Sequence, residues 1–452
     1  MSGSLPAPSV EPRQPGRPKR RRLTPVLRLR AQATAALLLI AALLATALAA
    51  FATAGTDLHR LSAVSEPRAT ATADLYQALA DLDAQHAKSL VVGYSATPPP
   101  DGQPATLVDD GVLAAITAQT DRRQAGRDLA SLAASGASDQ QDRNQQDVLA
   151  LLDGLASYDA LTGTEEYSAT SQPNPIVGRP PDLALDYYDQ AESMLQQTLL
   201  PRVQSLLASA DRQVAADRGV AQGDARHGAL LLVALGAVAL GLMLWWQLDL
   251  TRRHRRLLNP PLLLASASVL AVALAGGFAL LGAASEAGAA VSSGYAPYAV
   301  VAQAQVAAAD AEAVQSRWLV DDAYRPSLQR QFTDLTQRLH ALLGPQSTAS
   351  VARTQADYLA ADTTLRSLAE SGQLDRAAVQ LTGVTRGEVA FAYFDFSSRL
   401  GELAAQRSAV FDHRAAAAAD DLSGWTAIPS ALLGAALLLV VVGVRPRLAE
   451  FA

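Results

Sequence analysis

The sequence predicts an all-α membrane protein in which four transmembrane helices carry two extracytoplasmic four-helix bundles related by internal duplication. Three observations predict it. Four uncharged apolar blocks are long enough to cross a bilayer, basic residues gather on three short pieces beside those blocks, and the long polar segments between them show almost no strand pattern.

The blocks lie at residues 31–54, 228–248, 262–284 and 426–444. Crossing the hydrocarbon layer takes roughly 20 helical residues, and the apolar runs Ala31–Ala54, Gly228–Trp246, Leu262–Ala284 and Thr426–Val444 contain no charged side chain. Small residues at Ala47–Ala49 leave a cleavable signal peptide open as an alternative for the first block, although the block is longer than a usual signal core. Trp245, Trp246 and Trp425 stand where interfacial aromatics would anchor spans two and four.

Orientation follows from Arg and Lys, which cytoplasmic loops retain. The tail 1–30, the turn 249–261 and the end 445–452 together carry a net charge of +11, which leaves −17 for the remainder. Both termini and the turn, with Arg252, Arg253, Arg255 and Arg256, are therefore expected inside. The tail is expected to be disordered, and its run Arg20–Pro25 suits anionic membrane lipids. Cys is absent, which excludes disulfides and thiolate chemistry. Nearly all basic residues are Arg, with Lys at positions 19 and 88, and Ala is abundant, a bias that fits an actinobacterium.

The segments 55–227 and 285–425 read as helical throughout. In the first, Leu75, Leu79, Leu82, His86 and Leu90 form one stripe at spacings of three and four. A second helix is expected from Pro104 to Ala134. A third follows a Ser138/Gln141 capping box, with Val148, Leu152 and Leu155 inward. A fourth runs from Asp182 to Arg226 and buries Tyr188, Leu195, Leu199, Val203, Leu206, Ala210 and Val214. The second segment repeats the order: a helix descending from span three through Val306, Val314 and Leu319, a helix with Phe332, Leu335, Leu339 and Leu342 stopped by Gly344 and Pro345, a helix over Ser347–Leu368, and a last one from Thr385 to Ser423. The tip loops are expected at Ser95–Ala105, Leu161–Asp182, Asp321–Pro326 and Ser371–Val384.

Duplication is supported by a gapless match of Asp81–Leu90 with Asp310–Leu319, by Tyr187, Tyr188 and Asp189 against Tyr393, Phe394 and Asp395, and by Pro67 and Pro297 early in corresponding helices. The acidic pairs Asp81/Asp83 and Asp310/Glu312 read as solvated faces, because residues two apart do not share a helix face. The cluster Tyr187, Tyr188, Tyr393, Phe394 and Phe396 reads as bundle core, with a pocket lining as the other reading.

No catalytic, metal or cofactor motif is present: no phosphate-binding glycine loop, no paired-histidine zinc motif and no nucleophile elbow. The six His are scattered. The spans lack the ionisable residues that coupled transporters need, and nothing points to nucleic acid. Gly236, Gly241, Gly276, Gly277 and Gly282 permit close packing of spans.

Helical bundles running into spans suit the passage of a displacement across a bilayer. Each bundle resembles the four-helix sensor domains of bacterial chemoreceptors, yet no output domain follows. The order of basic tail, span, outer helical segment, span, short basic turn, span, second outer segment and span resembles the GlnX-type membrane signal transducers of actinobacteria over residues 23–445. The resemblance implies an extracytoplasmic solute-binding lipoprotein that senses amino acids and a soluble cytoplasmic serine/threonine kinase as partners. The distal loop with Pro173, Asn174, Pro175 and Arg179 would then meet the binding protein, and the Arg252–Arg256 turn the kinase or lipid. A structural or accessory subunit of an envelope or transport complex is the alternative, and the oligomeric state, including a homo-oligomer, is left open.

Overall fold

A computed structural model describes residues 25–92, 106–134, 141–171, 179–254, 260–344 and 346–449. The basic tail before residue 25, the Ser138 cap, Pro345 and most of the first segment's tip loops lie outside them. Among the described residues the chain is helical with no strand. The helices are α1 (Pro25–Arg60), α2 (Glu66–Val92), α3 (Thr106–Ala134), α4 (Gln141–Thr170), α5 (Asp182–Met194), α6 (Leu200–His254) and α7 (Pro260–Ala289), followed by α8 (Ala296–Val320), α9 (Arg325–Leu343), α10 (Ala349–Glu370), α11 (Leu374–Thr382), α12 (Val389–Leu422) and α13 (Ala427–Ala449). Four helical runs, Arg30–Val92, Asp182–Asp249, Pro260–Val320 and Val389–Arg445, are each long and apolar enough to cross a membrane.

Three π turns, Leu61–Ser65, Leu195–Leu199 and Ala290–Tyr295, join α1 to α2, α5 to α6 and α7 to α8. Each ends two residues before a proline: Pro67, Pro201 and Pro297. A proline ring inside a helix clashes with the carbonyl four residues back and supplies no N–H. Widening the preceding turn accommodates both defects without breaking the helix. The fourth run is interrupted instead, at the turn Ser423–Thr426, where Gly424 takes φ +76°, a left-handed conformation that glycine adopts without strain.

The chain forms two compact units. The smaller comprises Met1–Leu48, Leu231–Gly276 and Ala427–Ala452. Its core takes Ile40, Leu43 and Ala47 from α1, Leu232, Ala239 and Met243 from α6, Leu262, Val269 and Val272 from α7, and Leu433, Ala436 and Val440 from α13. Spacings of three and four on each helix make one seam per helix, as helices packed side by side require. Trp246 departs from the interfacial role expected of it: it is fully buried in this core, whereas Trp245 is exposed. Gly236 lets α6 and α7 approach closely, since a Cβ there would lie 2.4 Å from that of Ala273. Gly241 has nothing near it.

The larger unit comprises Ala49–Leu230 and Gly277–Thr426 and so holds both polar segments. One core cluster is mostly the first segment's, with Leu75, Leu79 and Leu82 of α2, Leu129 of α3, Leu151, Leu155 and Tyr158 of α4, and Leu195, Val203 and Leu206 along the π turn and α6. The other is built on α8–α12 but also takes Ala87, Leu90 and Val91 of α2 and Tyr188 of α5. The segments therefore share a core, and α2 packs directly on α8.

The stripe from Tyr188 to Val214 is buried at every predicted position. In α4 the inward series is Val148, Leu151, Leu155 and Tyr158, and Leu152 faces outward. Two expected loops contain helix. α4 continues through Leu161 to Thr170, and Leu374–Thr382 forms α11, which buries Ala377, Ala378 and Leu381. Their turn-forming residues sit beyond these stretches, and spacings of three and four inside them sustain a helix.

Replacing Gly236 by Ala is expected to lower the thermal midpoint of the purified chain in detergent, by the ~1–3 kcal/mol typical of overpacking. Adding Ala273→Gly restores it. An unchanged midpoint in the single variant would show that α6 and α7 do not meet there.

Candidate functional site

α2 and α8 have almost no solvent face: from Ala311 to Val320 every residue is buried, and from Leu82 to Val92 all but Gln85 and His86 are. A helix enclosed on all sides buries whatever its sequence places there. Of the acidic residues read as solvated, Asp83 and Glu312 are fully buried and Asp81 and Asp310 half-buried. Asp81 and Asp83 still point different ways, as their spacing requires, but protein lies in both directions.

Asp83 turns toward α5 and α8. It accepts a hydrogen bond from the Tyr188 hydroxyl at 3.2 Å and lies 3.7 Å from Nε of Arg317, whose guanidinium also pairs with Glu192. Glu312 turns the other way and forms an ion pair with Lys88. In the matched stretches Asp83 corresponds to Glu312 and Lys88 to Arg317. Each segment thus supplies the base for the other's buried acid. Tyr76 donates to both oxygens of Asp310 at 3.2 Å, a third polar link between the segments.

Beside these pairs lies a cavity of about 530 Å³ between α2 and α3 of the first segment and α8, α11 and α12 of the second. Asp81, Lys88, Asp121 and Glu312 line it, with Leu113, Val384, Phe391 and Phe394 as apolar wall. Tyr393 closes one side and donates to Asp81 at 2.8 Å. Asp121 Oδ2 and Glu312 Oε2 are buried and make no hydrogen bond of normal geometry. Burial, with Glu312 and Lys88 adding opposed smaller effects, pushes Asp121 up to about 7. Burial, then the charges of Glu312 and Asp121, holds Asp81 well above the usual carboxylate range. Burial also raises Glu312, against the pull of Lys88. Nearby, His86 is driven down to about 4 by burial, and Glu165, 3.7 Å from it, is raised by burial.

Of the residues singled out by sequence, Arg179 is exposed. Pro173, Asn174, Pro175, Arg255 and Arg256 lie outside the described residues, as do the side chains of Arg252 and Arg253, although α6 runs through both positions. Tyr188, Tyr393 and Phe396 are buried, as bundle core requires, but Tyr393 also lines the cavity, and Phe394 is 67 % exposed at its edge. Lys88, Asp121 and Arg317 were missed. Lys88 carried a signal, being the one Lys outside the basic tail.

Residues 57–219, within the first segment, match the model of the actinobacterial sensor domain. No curated protein and no solved structure matches the chain. With four helices able to cross a membrane, the match supports a multi-pass membrane sensor of actinobacterial type.

Removing one partner of a buried ion pair strands the other charge, at a cost of about 3–5 kcal/mol. Lys88→Met is expected to destabilise the chain on that scale in chemical denaturation, and Lys88→Met with Glu312→Leu to recover most of the loss. A mild single variant would show that the pair does not hold the segments together.

The pH dependence has a definite sign. Asp121 and Asp310 are pushed up to about 7 in the fold, against 3.8 otherwise. A carboxyl raised in this way keeps a proton that the unfolded chain has released. Its contribution is complete below about pH 4 and is lost as pH climbs toward 7. His86 acts oppositely between 6.5 and about 4, as one lowered group against several raised carboxyls. The thermal midpoint should fall between about pH 5 and pH 8. Asp310→Asn should raise it by about 2–4 °C at the upper pH alone.

Proposed function

We propose that the chain is a non-enzymatic transmembrane signal transducer that relays extracytoplasmic amino-acid or nutrient status to a soluble cytoplasmic serine/threonine kinase. The observation that carries the reading is the sensor-domain match of residues 57–219 in a chain whose helices run without a break into spanning stretches: α1 through its π turn into α2, α6 throughout, and α7 through its π turn into α8. A helix is stiff along its axis, so a displacement at one end is felt at the other. The shared core of the two segments makes them move as one body, and the 249–261 turn joins the two pairs of spans.

The Arg and Lys asymmetry of the sequence supports both termini and the turn inside and both segments outside. In this reading the loop carrying Pro173, Asn174, Pro175 and Arg179 meets a solute-binding lipoprotein. Arg252, Arg253, Arg255 and Arg256 meet the kinase or anionic lipid.

The lack of native Cys makes topology directly measurable. Arg179→Cys should react with a membrane-impermeant maleimide in intact cells, and Arg253→Cys only after permeabilisation. The reverse pattern would invert the proposal. A photo-crosslinker at position 179 should capture a solute-binding protein, and deleting the gene should abolish the change in serine/threonine phosphorylation that follows an amino-acid upshift. No capture together with an unaltered phosphorylation response would overturn the relay.

A further inference from the structure

We propose that the cavity between α2, α3, α8 and α12 is itself a binding site, and that its ligand is a small organic ammonium ion with an apolar body, such as an alkylamine. This goes beyond the relay and stands or falls independently of it, since it concerns direct binding by the chain and not a partner protein.

The first ground is charge. Asp81, Asp110, Asp121 and Glu312 line the cavity against one cation, Lys88, and Lys88 is already engaged by Glu312. Carboxylates gathered in a poorly solvated space attract a cation and repel an anion. The second ground is independent of charge. Fully buried Glu312 is held by Lys88 through Oε1 and neighbours Tyr393, but its Oε2 makes no hydrogen bond of normal geometry, and neither does Oδ2 of Asp121. A buried acceptor without a donor is costly, and an ammonium group carries three donors. The third ground is shape. A volume of about 530 Å³ falls in the range of small-molecule sites. Beyond the carboxylates the wall is Leu113, Val384, Phe391 and Phe394, which suits an alkyl chain. Aromatic faces also attract ammonium.

The same features discriminate. A free amino acid carries a carboxylate that needs its own cation, and the one available is held by Glu312. A metal ion needs several ligands converging at short range, and among the described residues no group of three acidic or His side chains is so arranged. A bound ammonium would also displace protons. The groups facing the site are Asp81 and Lys88 on α2, Asp110 and Asp121 on α3, Glu312 on α8 and Tyr393 on α12. Burial holds Asp121 at about 7, so binding near neutrality should release a proton and strengthen as pH rises through that value.

The test uses the full chain in nanodiscs, titrated calorimetrically with n-butylamine, 1,4-diaminobutane, glutamine, sodium butyrate and magnesium chloride. Saturable binding of an amine is expected, with proton release in buffers of different ionisation enthalpy. Butyrate and magnesium should give none, and glutamine far less than the amines. Asp121→Asn should weaken the amine roughly tenfold or more, and Phe394→Ala should weaken it without altering proton release. Both variants leave the Lys88–Glu312 pair intact, so folding is checked by a cooperative melting transition whose midpoint at pH 5 is no lower than that of the unaltered chain. No amine binding up to about 10 mM, equal binding by Asp121→Asn, or a preference for glutamine would overturn the proposal. Failure of the relay tests leaves this result unaffected.

Discussion

The reciprocal exchange of bases between α2 and α8 is the constraint on which the larger unit depends. Lys88 neutralises the acid of the second segment, and Arg317 that of the first. Buried ion pairs are poor sources of net stability, because desolvation consumes most of the attraction. What they impose is register. If α2 slid along α8 by a single turn, both acids would lose their bases at once, and each would be left as an uncompensated buried charge. Apolar packing between Ala-rich helices is tolerant of sliding, so the polar links supply the specificity that small side chains cannot.

That arrangement also explains why the cavity forms where it does. Small residues such as Ala114 and Ala390 at its margin do not fill the space beside the ion pair, and carboxyl groups line what remains. The unit accepts weakened carboxyl acidities and unsatisfied oxygens at this place. Phe332, Tyr393 and Phe396 pack around Tyr358 on the Tyr393 side of the cavity, with the Tyr358 hydroxyl donating to Gln315 at 3.0 Å. Rigid packing on one side and polar frustration on the other are what a ligand-responsive region needs.

Periodicity made much of this legible in advance. The spans stood out as uncharged blocks, and the stripe Tyr188 to Val214 named its buried positions because a helix with one wet and one dry face writes its orientation into the sequence. The same rule failed for α2 and α8. A helix surrounded by protein has no wet face to reveal its phase, so Asp83 and Glu312 looked like ordinary surface acids. Their meaning was relational: Asp83 becomes intelligible when Arg317, more than two hundred positions away in sequence, is seen beside it. The matched order of acid and base in the two stretches did carry that relation, as a likeness between stretches and not as a contact. Leu374–Thr382 was missed for a different reason, being too short and too closely followed by Gly383 to stand out from a loop.

The π turns have one more consequence. Each holds an extra residue relative to regular helix, which sets every side chain beyond it back by up to about 100° around the axis. A proline two positions downstream therefore works as a phase marker: it decides which faces of a long rod align above and below the wide turn. Such a rod can change the neighbour it presents its buried stripe to through a single relocated proline, at constant length and nearly constant composition. In a chain built almost wholly of long helices, angular phase is a variable separate from axial displacement, and Pro67, Pro201 and Pro297 are where it is set.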